Sequence, residues 1–238
     1  MVTTRSRPGL RSRADLSAHS RIVKLYHHPA QGRVAIGPHF RHLFRMKLFG
    51  LTGGIGMGKS TAARCLTASG IAVIDTDDLA HELAGPGQPA LAEIAEAFGA
   101  AIVGADGRLR REEVARIVFT NPGARERLEG ILHPRIRQGW LQQVAAWRAA
   151  GRPSAVVVIP LLFETGAAGE FDRIICLACA AATQRARLLA RGWTEEQIAA
   201  RNAAQWPVAR KMEQAHHVVW TEGSEEVLAA QLERLIKQ

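Results

Sequence analysis

The sequence predicts an α/β fold: a doubly wound sheet of five parallel strands with two helical inserts. Three observations predict it. Five short apolar runs alternate with helical patterns, the order of a parallel sheet covered on both faces. A glycine-rich stretch, Gly53-Gly54-Ile55-Gly56-Met57-Gly58-Lys59-Ser60, lies between the first apolar run and a helical pattern. Two of the gaps between runs are too long for simple crossovers. With 238 residues, 47% apolar and 22% charged, the chain suffices for one such domain with a small lobe.

Residues 1–45 stand apart. They hold eight Arg and Lys24 against a single acid, Asp15, so most of the formal charge of +9 lies here. Five of the nine His fall here as well, and Pro8, Pro29 and Pro38 interrupt any periodicity. Three readings stand open: a true start at Met46, a disordered basic extension, or an organelle transit peptide. None gives the segment a folded role. It lacks the apolar core of a secretory signal, and no run in the chain approaches the ~20 apolar residues of a membrane span. The rest of the chain is nearly neutral, which argues against nucleic acid as a partner. No membrane partner is expected, and the chain is expected to be a monomer or a weak homo-oligomer. Three cysteines, Cys65, Cys176 and Cys179, suit a reducing compartment and a cytoplasmic location. Cys176 and Cys179 match C-x-x-C but lack the further ligands that zinc needs, so buried free thiols are expected.

The first strand is expected at Lys47–Leu51. The stretch after it fits G-x-x-x-x-G-K-[ST], a phosphate-cradling loop. Its glycines let successive N–H groups from Gly54, Ile55, Gly56, Met57 and Gly58 converge on one oxyanion. The helix that follows, Thr61–Ser69, points its positive end at the same place. Lys59 would place a charge at the β- and γ-phosphates, and Ser60 a hydroxyl on Mg²⁺.

The second strand, Ile71–Ile74, runs into Asp75-Thr76-Asp77-Asp78. Asp75 and Asp77 would face one side of an extended backbone. A carboxylate at a strand's carboxyl end can orient or deprotonate an attacking hydroxyl. Asp77 or Asp78 could equally cap the helix through Leu79–Leu83.

About eighty residues, Thr76 to Ser154, then precede the third strand. Helices are expected at Pro89–Phe98, Glu112–Phe119, Ala124–Glu129 and Arg135–Ala149, together forming a lobe beside the sheet. His133-Pro134 opens the last of these, with His133 a candidate cap and Pro134 in the first turn. Trp140 and Trp147, seven apart, are expected to face the core. The third strand is expected at Ala155–Phe163, ending in Pro160-Leu161-Leu162-Phe163-Glu164. Glu164 is open between a Mg²⁺ or substrate contact and a helix start or surface charge.

The fourth strand is expected at Arg173–Leu177. A second insert, Ala181 to Met212, carries helices Ala181–Arg191 and Glu195–Ala204. Arg187 and Arg191 share a face, and Arg201 and Gln205 repeat the spacing. Such a segment can supply arginines to a transferring phosphoryl group, or can be a solvated basic face. The fifth strand, His217–Trp220, and a final helix, Glu225–Ile236, complete the pattern.

From Met46 onward these residues resemble the dephospho-CoA kinase family. Leu51-Thr52-Gly53-Gly54-Ile55-Gly56-Met57-Gly58-Lys59-Ser60-Thr61 looks like that family's LTGGIGSGKST, and Val73-Ile74-Asp75-Thr76-Asp77 like its V-I-D-A-D. Ala105-Asp106-Gly107-Arg108-Leu109, Leu132-His133-Pro134, Pro160-Leu161-Leu162-Phe163-Glu164 and Ala203-Ala204-Gln205-Trp206-Pro207 also match, in order. The resemblance implies a P-loop kinase fold with a CoA-binding lobe at about 78–150 and a lid at about 181–212. It implies ATP and Mg²⁺ as cofactors and dephospho-CoA as substrate. By the same resemblance Gly54 to Thr61 would bind ATP, Ser60 the metal, and Asp77 the ribose 3′-hydroxyl. Lys59, Arg187 and Arg191 would assist transfer, the two arginines matching the lid pattern Q-x-x-R-x-x-x-R that begins at Gln184. His133, Pro160, Leu161 and Glu164 would line the substrate side. Three departures stand out. Met57 replaces the usual Ser, Gly192-Trp193 follows Arg191 where R-D-G is usual, and His216 to Gly223 stands where the family has D-V-V-I-D-N-x-G.

Overall fold

The computed structural model describes residues 45–237. Apart from Arg45, the expectations for the basic N-terminal segment lie outside the described residues. The strands are β1 (Lys47–Gly53), β2 (Ala72–Asp75), β3 (Ser154–Val158), β4 (Arg173–Ala178) and β5 (His217–Trp220). All pair in parallel, in the order β2-β3-β1-β4-β5. The phosphate loop therefore leaves the middle strand, at the centre of the sheet's carboxyl edge, where ligands of such sheets bind.

The strands read as unbroken apolar runs because both faces are covered. Phe49, Leu51, Val156 and Val158 point to one side, against Leu66 of α1 (Lys59–Ala68) and Leu232 of α9 (Glu225–Ile236). Leu48, Ala155 and Val157 point to the other, with Trp140, Leu162 and Phe171. Gly50 falls on that second face by strand alternation, and a Cβ there would stand 2.6 Å from Leu162 Cδ1.

The long first insert holds α2 (Thr76–Leu83), α3 (Pro89–Phe98), α4 (Arg111–Thr120) and α5 (Pro122–Ala149). Its outer part has a small core of its own around Ala84, Ile94, Ile102 and Val114. Here the structure corrects the sequence. The two helices expected at Ala124–Glu129 and Arg135–Ala149 are one 28-residue helix with Pro134 inside it. An interior proline costs ~3 kcal/mol. Burial outweighs it, since Leu128 and Ile131 pack into the lobe core while Ile136, Trp140 and Val144 pack on the sheet. His133 is thus mid-helix, and the cap is Asn121, which accepts the Ala124 N–H at 3.1 Å. Trp140 is buried and Trp147 packs beside it, as expected.

The third strand stops at Val158, not Phe163, because Pro160 has no N–H to continue a ladder. The lid insert contains α6 (Ala181–Leu189) and α7 (Glu195–Ala203), followed by α8 (Val208–Gln214), a short helix that the sequence pattern did not reveal. Among the described residues no helix is long and apolar enough to cross a membrane. Cys176 and Cys179 are buried free thiols, and burial raises both pKa values, that of Cys176 to about 11.

Candidate active site

The loop's shape follows from its glycines. Gly56 and Gly58 adopt φ of +72° and +86°, and Gly58 is the left-handed residue from which α1 starts. Their N–H groups find no acceptor among the described residues, which is the cradle an oxyanion fills. Gly56 has no room for a side chain, since a Cβ there would meet Leu188 Cγ at 2.9 Å. Met57 keeps the loop intact. Its side chain is buried, and its carbonyl accepts Thr221 Oγ1 at 3.4 Å.

Lys59 Nζ donates to the carbonyls of Gly53 and Gly54 at 3.0 and 2.9 Å. Burial lowers its pKa to about 8, opposed by Asp77 and reinforced by Lys211. The lysine remains mostly charged at neutral pH yet is held close to its titration point. Ser60 follows it, exposed beside the loop.

A cavity of about 710 Å³ opens beside Lys59. It brings together Lys59, Asp77, His133, Pro160 and Leu161, all singled out in the sequence, with Arg201 and Gln205 from the lid insert. Its walls are mostly apolar, including Ile136, Trp140 and Ile159, and Arg137 and Glu170 form an ion pair at its edge. Asp77 reaches the cavity because β2 ends at Asp75. The Asp75 side chain caps α2 by accepting the Asp77 N–H at 2.9 Å, which leaves the Asp77 carboxylate exposed in the helix's first turn. The capping role left open for Asp77 or Asp78 belongs to Asp75, whose own pKa is raised, chiefly by burial. The two acids do not share one extended face.

Arg187 and Arg191 do not join this cavity. They line a second one of about 390 Å³, with Gly56, Gly58 and Thr61 of the loop and Thr221 after β5. Arg187 Nη1 donates to Thr221 Oγ1 at 2.9 Å, and Nη2 to the Thr221 carbonyl. The loop lies between the two cavities and contributes residues to both.

Glu164 lines neither. Its Oε1 accepts from Lys211 Nζ at 2.8 Å and from the Trp206 N–H at 2.9 Å, under the turn that follows β3. Glu164 is thus held in an ion pair with a fully buried lysine, neither a surface charge nor a wall of either cavity.

Sequence reasoning missed several partners. Gln184 Nε2 donates to the Ile55 carbonyl at 2.7 Å and to Asn202 Oδ1 at 3.1 Å, tying both lid helices to the loop. Glu222 accepts the Ala180 N–H and Thr183 Oγ1, capping α6 from across the fold. These bonds hold its pKa below the usual carboxylate range. After Arg191, Gly192 turns the chain at φ +80°, and Arg201 lies over the Trp193 ring at 4.4 Å. At the β4–β5 edge, His216 Nδ1 accepts the Ile174 N–H at 3.0 Å, a bond an aspartate could equally receive. No spacing rule signals these long-range pairs.

The parallel sheet, the loop on its central strand and an acid-bearing cavity beside the loop lysine define a P-loop kinase, a fold that uses ATP. A sequence profile described as dephospho-CoA kinase matches residues 47–226. A dephospho-CoA kinase of Anaeromyxobacter dehalogenans is 43% identical over 192 residues, covering 80% of this chain and 91% of the relative. One of Thiobacillus denitrificans is 45% identical over 193 residues, with 80% and 94% covered. The solved dephospho-CoA kinase of Campylobacter jejuni is 25% identical, with TM-score 0.61 over 81% of this chain and 96% of that one. The chain belongs to the dephospho-CoA kinase family.

Proposed function

We propose that the protein transfers the γ-phosphoryl group of ATP to the ribose 3′-hydroxyl of 3′-dephospho-CoA, giving ADP and CoA, the last step of CoA synthesis. The observation that carries this reading is the shared cavity of Lys59 and Asp77, next to a glycine loop whose Gly56 and Gly58 amides have no acceptor among the described residues.

The loop N–H groups from Gly54 to Gly58 and the amino end of α1 bind the triphosphate. Lys59 leaves the Gly53 and Gly54 carbonyls for the β- and γ-phosphate oxygens and takes up their developing charge. Ser60, with a hydroxyl exposed next to the loop, would be the residue that holds Mg²⁺. Among the described residues no cluster of three or more His, Cys, Asp or Glu offers a denser metal cage. Mg²⁺ held there would supply charge neutralisation to the phosphates.

Asp77 orients the 3′-hydroxyl and accepts its proton as the phosphoryl group moves. His133, Pro160 and Leu161 shape the acceptor side, and the lobe at about 78–150 holds the rest of the substrate. Arg187 and Arg191 act on the nucleotide from the second cavity, with Thr61 and Thr221. Arg201 reaches the transferring group from the acceptor side when the lid at about 181–212 closes. The protein works in the cytoplasm as a monomer or weak homo-oligomer.

Coupled ADP release, measured with and without dephospho-CoA and against a panel of other acceptor alcohols, tests the reading. Dephospho-CoA-dependent release is expected. Release that depends instead on a nucleoside or sugar, or on no acceptor, would overturn it.

A further inference from the structure

Lys211, on α8 just after the lid helices, is a charged side chain that the reaction as described leaves idle. It has 0% exposure. Its Nζ donates to the Pro160 carbonyl at 2.7 Å and to Glu164 Oε1 at 2.8 Å. Thr52 Oγ1, one residue before the glycine loop, donates to the same Pro160 carbonyl at 3.1 Å. Phe163 and Trp206 stack beside this joint with centroids 6.0 Å apart, and Arg210 lies 3.3 Å from the Trp206 centroid. Glu164 Oε2 is buried without a protein partner.

Stability alone does not account for such an arrangement. A well-packed apolar pair of the same volume is often as stable as a buried ion pair, or more so. The location suggests another purpose. Pro160 offers no N–H, so beyond β3 the chain loses its ladder and its carbonyl is the remaining handle. That handle is held from two directions, by the strand that carries the phosphate loop and by the helix at the base of the lid. Pro160 and Leu161 themselves line the acceptor cavity.

We propose that Lys211 is a positioning residue. By fixing the Pro160 carbonyl it keeps the acceptor wall in register with the phosphate loop and ties both to the lid's base. The proposal rests on the kinase reading above. Misplacing a reacting group by ~1 Å can cost ~10²-fold in rate, so a small drift of this wall is enough to matter. Lys211 also lies near enough to Lys59 to help lower its pKa, consistent with one connected unit.

Steady-state kinetics on three proteins test it. Lys211→Met combined with Glu164→Gln removes both charges together, leaving neither buried alone. This variant is expected to fold, to raise the KM for dephospho-CoA about tenfold or more, and to keep the KM for ATP within about twofold. Glu164→Gln alone keeps the Lys211–Pro160 bond and is expected to melt earlier while retaining the acceptor KM. Wild-type acceptor KM and kcat in the double variant would overturn the proposal. So would equal losses towards ATP and acceptor, or an acceptor defect already complete in Glu164→Gln. If the double variant does not fold, Lys211→Gln, which falls short of the Pro160 carbonyl, is judged by the same criteria. Wild-type protein that releases no ADP in response to dephospho-CoA would instead sink the kinase reading, before any variant is compared.

Discussion

Asp75 and Asp77 are two residues apart and chemically identical, yet the structure gives them opposite consequences. The Asp77 carboxylate is exposed in the cavity and makes no hydrogen bond among the described residues, so Asp77→Asn removes charge without breaking a contact. Stability should change by no more than ~0.5 kcal/mol, as for surface positions away from special features. A positioned general base contributes ~10²–10⁴-fold, equivalent to ~2.7–5.5 kcal/mol of barrier, so kcat should fall by that much with ATP affinity intact. Asp75→Ala should do the reverse. It deletes the α2 cap, at 2.9 Å from the Asp77 N–H, for ~0.5–2 kcal/mol. In a domain of this size each kcal/mol lowers Tm by ~2–4 °C. The assay pairs ADP release with thermal melting on both variants. Turnover within tenfold of wild type in Asp77→Asn, or a melting loss in Asp77→Asn as large as in Asp75→Ala, would refute the division of labour.

Lys59 sets the alkaline limit. Its pKa near 8 belongs to the empty enzyme, so kcat/KM for ATP should decline as pH rises through about 8 and the ammonium is lost; a profile flat to pH 10 would contradict this. The same depression works the other way on folding. The empty protein carries the cost of burying the ammonium below about pH 8 and sheds it as pH rises towards the ordinary value of 10.5, which urea titration at pH 7 and 9 can detect. Gly53→Ala places a Cβ 2.5 Å from the Leu177 carbonyl oxygen, with φ +149°, where neither backbone can yield. A loss of ~3 kcal/mol or more is expected from strain and overlap together, read as the urea midpoint. Arg187→Met should raise the KM for ATP, because Arg187 belongs to the second cavity, while Arg201→Met should lower kcat with ATP binding intact. Identical effects from the two variants would deny the separation of the cavities.

Local chemistry was legible in the sequence wherever it is written in consecutive residues. The loop from Gly53 to Ser60 needs only its glycines and its flanks, so its strand–turn–helix setting could be read directly. Continuous apolar runs announced strands covered on two faces, and all five exist in a parallel sheet. Where the reading slipped, a local rule met a tertiary one. Pro134 should end a helix, but two separate cores hold the helix on both sides of it. Val158 to Phe163 looks like one strand by composition, but Pro160 cannot pair.

The phosphate loop, the strand count and the acids at the strand ends each depend on neighbours along the chain, so the amino-acid order alone was enough to find them. Which acid faces the cavity, which arginines line which side of the loop, and the pairing of Glu164 with Lys211 follow instead from the packing of distant elements. Those outcomes depend on groups far apart along the chain, such as Lys211 and Pro160 at a separation of 51 residues, being brought within hydrogen-bonding or cavity-lining reach. Periodicity does not encode them, because the energy that selects them arises only once water has left the space between the elements.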